Sequence, residues 1–260
     1  MVNKTTFKQY LQEAEEKMPR AEDVDDLLAS IVDGKFTKDG SKLKVTGDFD
    51  DFDFDCSNNK LESLAGCPQT VVGDFGCYEN NLKSLKGCPQ TVGGGFYCGS
   101  NNLESLKDCP QTVGGDFWCG NNQLKSLVGC PQIVKGSFDC NDNQLKSLEG
   151  CPQIVSGYGN FGGYGMTDGF SCIKNKELTS LARINFYVHE ITGAADGANF
   201  RGCPIKSNIL GLLKIRGLKK VKFTDEKLQE IMNRHLPMGD STDCIDDLLD
   251  AGYSKEYCKW

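Results

Sequence analysis

The sequence predicts an α/β repeat solenoid: a stack of short parallel-strand coils closed by helices at both ends. Two observations carry this, a 21-residue period through the middle of the chain and helical spacing on either side of it. The first Leu of Leu-x-Ser-Leu recurs at Leu61, Leu82, Leu103, Leu124 and Leu145, 21 residues apart each time (82−61, and so on), and a sixth copy at Leu178 follows after 33 (178−145). Cys56, Cys77, Cys98, Cys119 and Cys140 keep the same step, as do Cys67, Cys88, Cys109, Cys130 and Cys151. Such a period means stacked units, each too small to bury its apolar side chains alone.

Within the unit, Phe54, Phe75, Phe96, Phe117, Phe138 and Phe170 stand two residues before the first Cys, with Cys172 as the sixth. That alternation is the period of a short strand, with Phe and Cys pointing inward. An Asn stands three residues after the Cys, at Asn59, Asn80, Asn101, Asn122, Asn143 and Asn175. At the turn out of the strand its amide can satisfy buried backbone groups of its own coil and the next. The two Leu and the second Cys fill the rest of the interior, and the following Pro imposes an extended return path. Phe200, Cys203 and Ile205 fit the strand Cys, the Asn and the first Leu of a degenerate seventh coil.

Phe-x-Cys-x-x-Asn-x-Leu resembles the Leu-x-Leu-x-x-Asn-x-Leu core of leucine-rich repeats, with Phe and Cys in place of two leucines, over about residues 43–209. The short unit with Leu-x-Ser-Leu and Cys-Pro is similar to the class seen in bacterial effectors, and the layout resembles uncharacterised repeat proteins of large tailed bacteriophages. The resemblance implies a curved parallel β-sheet that binds partners on its concave face.

The expected organisation is a helical N-terminal cap over 1–42, the repeat array over 43–205, and a helical C-terminal cap over 206–260. Phe7, Tyr10, Leu11, Ala14 and Met18, and then Val24, Leu27, Leu28 and Ile31, follow helical spacing, ended by Pro19 and Gly34. Near the other end, Ile209, Leu210, Leu212 and Leu213 suggest one helix; Thr224 can cap another bearing Leu228, Ile231, Met232 and Leu236, and Ser241 a third bearing Cys244, Ile245, Leu248 and Leu249. The Gly-rich insertion at about 156–169 reads as a tolerated surface loop in which Tyr158, Phe161 and Tyr164 fold back.

The net charge is −7, which favours solubility and disfavours a chain-wide nucleic-acid surface. The first residues lack a signal-peptide core and no stretch is long and apolar enough to span a bilayer, so the sequence suggests a cytoplasmic protein with no membrane partner. The 14 Cys include no Cys-x-x-Cys pair, and a reducing compartment disfavours disulfides, so they read as buried thiols. The basic block from Arg201 to Lys222 reads as a solvated cap face. Asp51, Asp53 and Asp55 alternate beside Asp74, but without the spacing of a calcium loop they read as an acidic edge. With His189 and His235 as the two histidines and no phosphate loop or nucleophile motif, the sequence points to no enzyme and no cofactor.

If Phe and Cys point inward, their neighbours point out. Those neighbours include Tyr78, Tyr97 and Trp118 on successive coils, edged by Asp53, Asp55, Asp74, Asp116 and Asp139. Exposed Tyr and Trp anchor interfaces, and acids steer a basic partner. The expected function is therefore protein binding on an acidic, aromatic face, to a host or viral protein with a basic patch. A structural part in a virus particle and an acidic decoy of a nucleic-acid-binding protein are the alternatives.

Overall fold

Each Phe-x-Cys segment can bury both side chains only if the same segment of the next coil covers its edge, and a constant period brings identical residues into register. The computed structural model describes residues 36–39, 42–45, 53–156, 169–182, 187–188, 197–215, 218–239 and 241–259. Over them the chain is a parallel β-solenoid of stacked coils. The strands Phe54–Asp55, Phe75–Gly76, Phe96–Tyr97, Phe117–Trp118, Phe138–Asp139, Phe170–Ser171, Gly197–Asn199 and Lys220–Lys222 form one sheet, here the Phe sheet, in that order. Phe54 is in register with Phe75, Phe75 with Phe96, and so on to Phe170. Their rings form a continuous spine with centroids 5.1 to 5.9 Å apart. Each such contact contributes about 0.5–1.5 kcal/mol beyond burial alone.

The spine outlasts the motif. Ala198 takes the register position of Phe170, and Phe200, two residues on, packs its ring 6.0 Å from that of Phe170, followed by Phe223 at 5.8 Å. Phe200 thus stands at the Cys position, as the sequence suggested. Cys203 stands at the Asn position and its thiol donates to the Cys172 carbonyl (2.8 Å), replacing one of the bonds that Asn makes in the regular coils.

The extended path after Pro is itself a sheet, which the sequence did not announce. Thr70–Val71, Thr91–Val92, Thr112–Val113, Ile133–Val134, Ile154–Val155 and Tyr187–Val188 form a second parallel stack, the Val sheet. Val71, Val92, Val113, Val134 and Val155 point inward to meet the Leu pairs and both Cys ladders in one core.

The Asn amides tie coil to coil. Asn101 Nδ2 donates to the carbonyls of Cys98 and Gly99 in its own coil and of Cys77 in the coil before, while its Oδ1 accepts from Leu82 N at 3.0 Å. Asn80, Asn122 and Asn143 repeat the pattern. The expected bonds within the coil are present, but the bonds between coils run to the preceding coil rather than the next. The backbone direction decides this: the turn after each strand lies beside the strand end of its predecessor.

Towards the end, Ile209–Lys214 is a 3-10 helix, α1 spans Glu226–His235 and α2 spans Ser241–Asp250. Leu228, Ile231, Met232, Leu236, Cys244 and Leu248 join the common core. Asp225, not Thr224, caps α1, its Oδ1 accepting from Leu228 N at 3.0 Å, because the Thr224 hydroxyl accepts from Gly202 N (2.7 Å). Phe36–Asp39 and Lys42–Val45 pair as an antiparallel hairpin across the expected 42/43 boundary. The N-terminal helices and the insertion with Tyr158, Phe161 and Tyr164 lie outside the described residues. No helix among the described residues is long and apolar enough to cross a membrane.

Candidate functional site

The outward rows of the Phe sheet carry the expected residues, and the fold sorts them into two groups. The first is aromatic. Tyr97 and Trp118 are paired in register on adjacent strands. Tyr78 and Trp118, two coils apart, touch across the intervening strand, with ring centroids 5.8 Å apart and planes at 46°. They meet because Gly99 lies between them. A Cβ at Gly99 would sit 2.4 to 2.6 Å from Cε2, Cδ2 and Cζ2 of Trp118, so the fused edge of the indole lies face-down on bare backbone. Gly95 does the same for Tyr97, whose hydroxyl would be 2.2 Å from an added Cβ. The equivalent outward positions in other coils hold Asp53, Asp74, Asp116, Ser137 and Gly169, or Ser57, Tyr78, Gly120, Asn141 and Ile173, and a Cβ at Gly120 would likewise meet Trp118, 2.6 Å from its Nε1.

The second group is acidic. Asp53 and Asp55 are exposed and Asp74 is half-buried. Each of these carboxylates also holds a backbone amide. Asp53 accepts from Asp74 N (2.7 Å), Asp74 from Gly95 N (2.6 Å), and Asp55 from Ser57 N (2.9 Å). Asp74 also receives the Tyr97 hydroxyl; burial, then the charges of Asp74, Asp116 and Asp53, push that phenol well above its usual pKa.

Asp116 and Asp139 depart from the expectation of an exposed rim, since each is only 4% exposed. Asp116 accepts from Ser137 N at 2.6 Å, and burial raises its carboxyl. Asp139 accepts from both the backbone and the side-chain amide of Asn141 (2.8 and 2.6 Å), and burial pushes its pKa up to about 7. Asn141 Oδ1 in turn accepts from the Ser171 hydroxyl (2.9 Å), knitting two coils together. These two acids serve the sheet rather than its surface. The alternation of side chains placed them on the outward rows; their burial depends on neighbouring coils and could not be read from spacing.

Other candidates divide likewise. Asp51 and His189 lie outside the described residues. Among the described residues no group of three or more His, Cys, Asp or Glu is placed to hold a metal ion. His235 is buried in α1, its Nε2 2.8 Å from Asp247 Oδ2 in α2; that contact first, with help from Arg234, holds the Asp247 carboxyl below its usual range. Of the 14 Cys, all but Cys258 are buried as free thiols. The basic block delivers Lys220 and Lys222 to the last strand of the same Phe sheet. A scan against protein-family models and a search of curated proteins return no match to this chain.

Proposed function

We propose that this solenoid is a non-enzymatic protein-binding module of the leucine-rich-repeat type that docks a partner's basic patch on the outer face of its Phe sheet. The observation that carries this is the glycine floor: Tyr97 and Trp118 are laid against the sheet over Gly95 and Gly99, and Tyr78 packs on the Trp118 ring. Large aromatic side chains held in one place lose little freedom on binding, which is why they anchor interfaces. Asp53, Asp55 and Asp74 beside them supply attraction for a cationic partner. A non-enzymatic role is supported by the thiols, which burial keeps protonated and unreactive, as at Cys98 and Cys119. The site of action proposed is the cytoplasm of a bacteriophage host, on the resemblance of the repeat.

The test is capture from host and infected-host lysates by wild type and by Tyr97→Ala/Trp118→Ala, both first shown to fold. The expected outcome is a partner retained at least about tenfold better by wild type, the scale of a lost aromatic anchor. Equal capture would overturn the proposal. A role in particle assembly is the second reading, because the Phe sheet begins with Asp53 and Asp55 and ends with Lys220 and Lys222. It requires the chain to be present in purified particles.

A further inference from the structure

We infer that Asp139 makes the docking face pH-responsive: its carboxyl lies beside the Trp118 indole, so ionising it strengthens the hold on a basic partner as pH rises through neutrality. This rests on the docking face proposed above and names what regulates it.

The coupling follows from where the two side chains meet. Asp139 and Trp118 are in register on adjacent strands, so they are outward neighbours. Both lean over Gly120, the next outward position on the strand of Trp118. A Cβ at Gly120 would be 2.6 Å from Trp118 Nε1 and 2.8 Å from Asp139 Oδ1, so the two atoms lie within the sum of those distances of each other. The positive edge of an aromatic ring attracts negative charge, and the N–H edge of the indole is on the side of the carboxyl. Asp139 is held in place: Asn141 N and Nδ2 donate to its two oxygens (2.8 and 2.6 Å), and the Ser171 hydroxyl donates to Asn141 Oδ1 (2.9 Å). At 4% exposure little water screens a charge there.

The sign follows from the charges around it. Burial pushes the Asp139 carboxyl up to about 7, the backbone bond from Asn141 opposes this, and the charge of Asp142 adds to it. Asp142 stands in the turn that follows and is paired with Lys174 at 3.7 Å. On the neighbouring strand, Asp116 is turned to Ser137 N. The thiols of Cys119, Cys140 and Cys172 beneath are kept protonated by burial. Below about pH 7 Asp139 is therefore neutral; above it, Asp139 adds a negative charge at the edge of the aromatic group. A cation docked on this face favours the ionised form, so its affinity rises with pH. By reciprocity, its binding lowers the pH at which Asp139 titrates.

The experiment uses the full chain with Trp260→Phe, so that Trp118 is its one remaining tryptophan, and follows its emission between pH 5 and pH 8. A step centred near pH 7 is expected, and Asp139→Asn, which carries no charge at any pH, should abolish it. Asp142→Asn leaves the bonds of Asp139 in place, removes a charge that raises its carboxyl, and should move the step to lower pH. Decalysine, whose ammonium groups stay charged across this range, serves as the basic probe. By calorimetry it is expected to bind about threefold tighter at pH 8 than at pH 5, the scale of a single ion pair. Asp139→Asn should lose that gain, and bound decalysine should move the emission step to lower pH. The inference is overturned by the absence of a step, by a step that survives Asp139→Asn, or by decalysine binding indifferent to pH. Decalysine that binds at neither pH removes the docking face and its regulation together; the emission step, read without a partner, tells this failure from the others.

Discussion

Asp139 shows how one outward position can change character within a single row. In the first coil the equivalent carboxylate, Asp55, is exposed; at Asp139 burial raises the pKa to about 7. In an unfolded chain an Asp titrates near 3.9. Between about pH 4 and pH 7 the folded protein therefore holds a proton that the unfolded chain releases. The contribution of Asp139 to stability is greatest below that window and is lost as pH rises through it, by up to about 1.4 kcal/mol per pH unit. Asp139→Asn carries no charge at any pH, so its melting temperature should gain on that of wild type between pH 5 and pH 8. A difference between the two that does not change with pH would mean that Asp139 stays ionised throughout. The same row shows what the sequence could disclose at this scale. Asn80, Asn101, Asn122 and Asn143 were legible as turn residues with backbone duties, because an amide recurring at one point of every coil has few other uses. The direction of their bonds was not, since own, next and preceding coil look alike from spacing alone. Tyr97 and Trp118 were legible as neighbours, but the role of Gly95 and Gly99 beneath them needed the rings in place.

The last strand of the Phe sheet has the problem of every terminal strand: its outer edge offers unpaired backbone groups to any passing strand. The inner edge of Lys220–Lys222 pairs with Gly197–Asn199. On its outer side α1 supplies side chains that act as a substitute strand. Val221 N donates to Asn233 Oδ1 (2.7 Å), Asn233 Nδ2 donates to the Val221 carbonyl (3.1 Å), and Phe223 N donates to Gln229 Oε1 (3.1 Å). Asn233→Leu keeps the approximate size but leaves the Val221 N–H and C=O without partners, costing about 1–3 kcal/mol for each buried group. The variant should melt earlier and associate as its concentration rises, seen by calorimetry and light scattering, whereas Glu230→Ala on the exposed side of α1 should do neither. Unchanged melting and mass for Asn233→Leu would show that the edge needs no cover. None of this strand was expected from the sequence, because three residues, Lys-Val-Lys, give no pattern that separates a strand from a loop. The helix after it was legible from Leu228, Ile231 and Met232, whose spacing is set by the core they cover. The Val sheet was hidden for a related reason: a two-residue strand has no alternation to detect, and only stacking turns the path after Pro into a ladder.

At the scale of the molecule, the solenoid is held by contacts between nearest neighbours, and its thiols provide a reporter at nearly every level. The spine of Phe rings, the Asn amides and both sheets join each coil only to the one before and the one after. Opening a central coil breaks two interfaces; opening an end coil breaks one, so the array should fray from its ends. Cys98, Cys109, Cys119 and Cys130 lie in the middle of the array and are buried, and burial drives each thiol well above its usual pKa. At Cys140 the value is pushed up to about 12, so at pH 8 only on the order of one thiol in ten thousand is ionised while the coil is closed. A thiol-alkylating reagent can therefore reach these cysteines only through coil opening. In a time course read by peptide mass spectrometry, the partly buried Cys258 should react first. Cys56 and Cys203, in coils near the two ends, should follow, and Cys98 and Cys119 should come last. Equal rates along the whole ladder would mean that the array opens only as a single unit, which would put more coupling between distant coils than nearest-neighbour contacts supply. Central thiols reacting as fast as Cys258 would contradict the packing itself. A graded order, slowest at the middle, would also locate the stable platform on which Trp118 and Tyr97 stand, since both rings belong to the coils expected to open last.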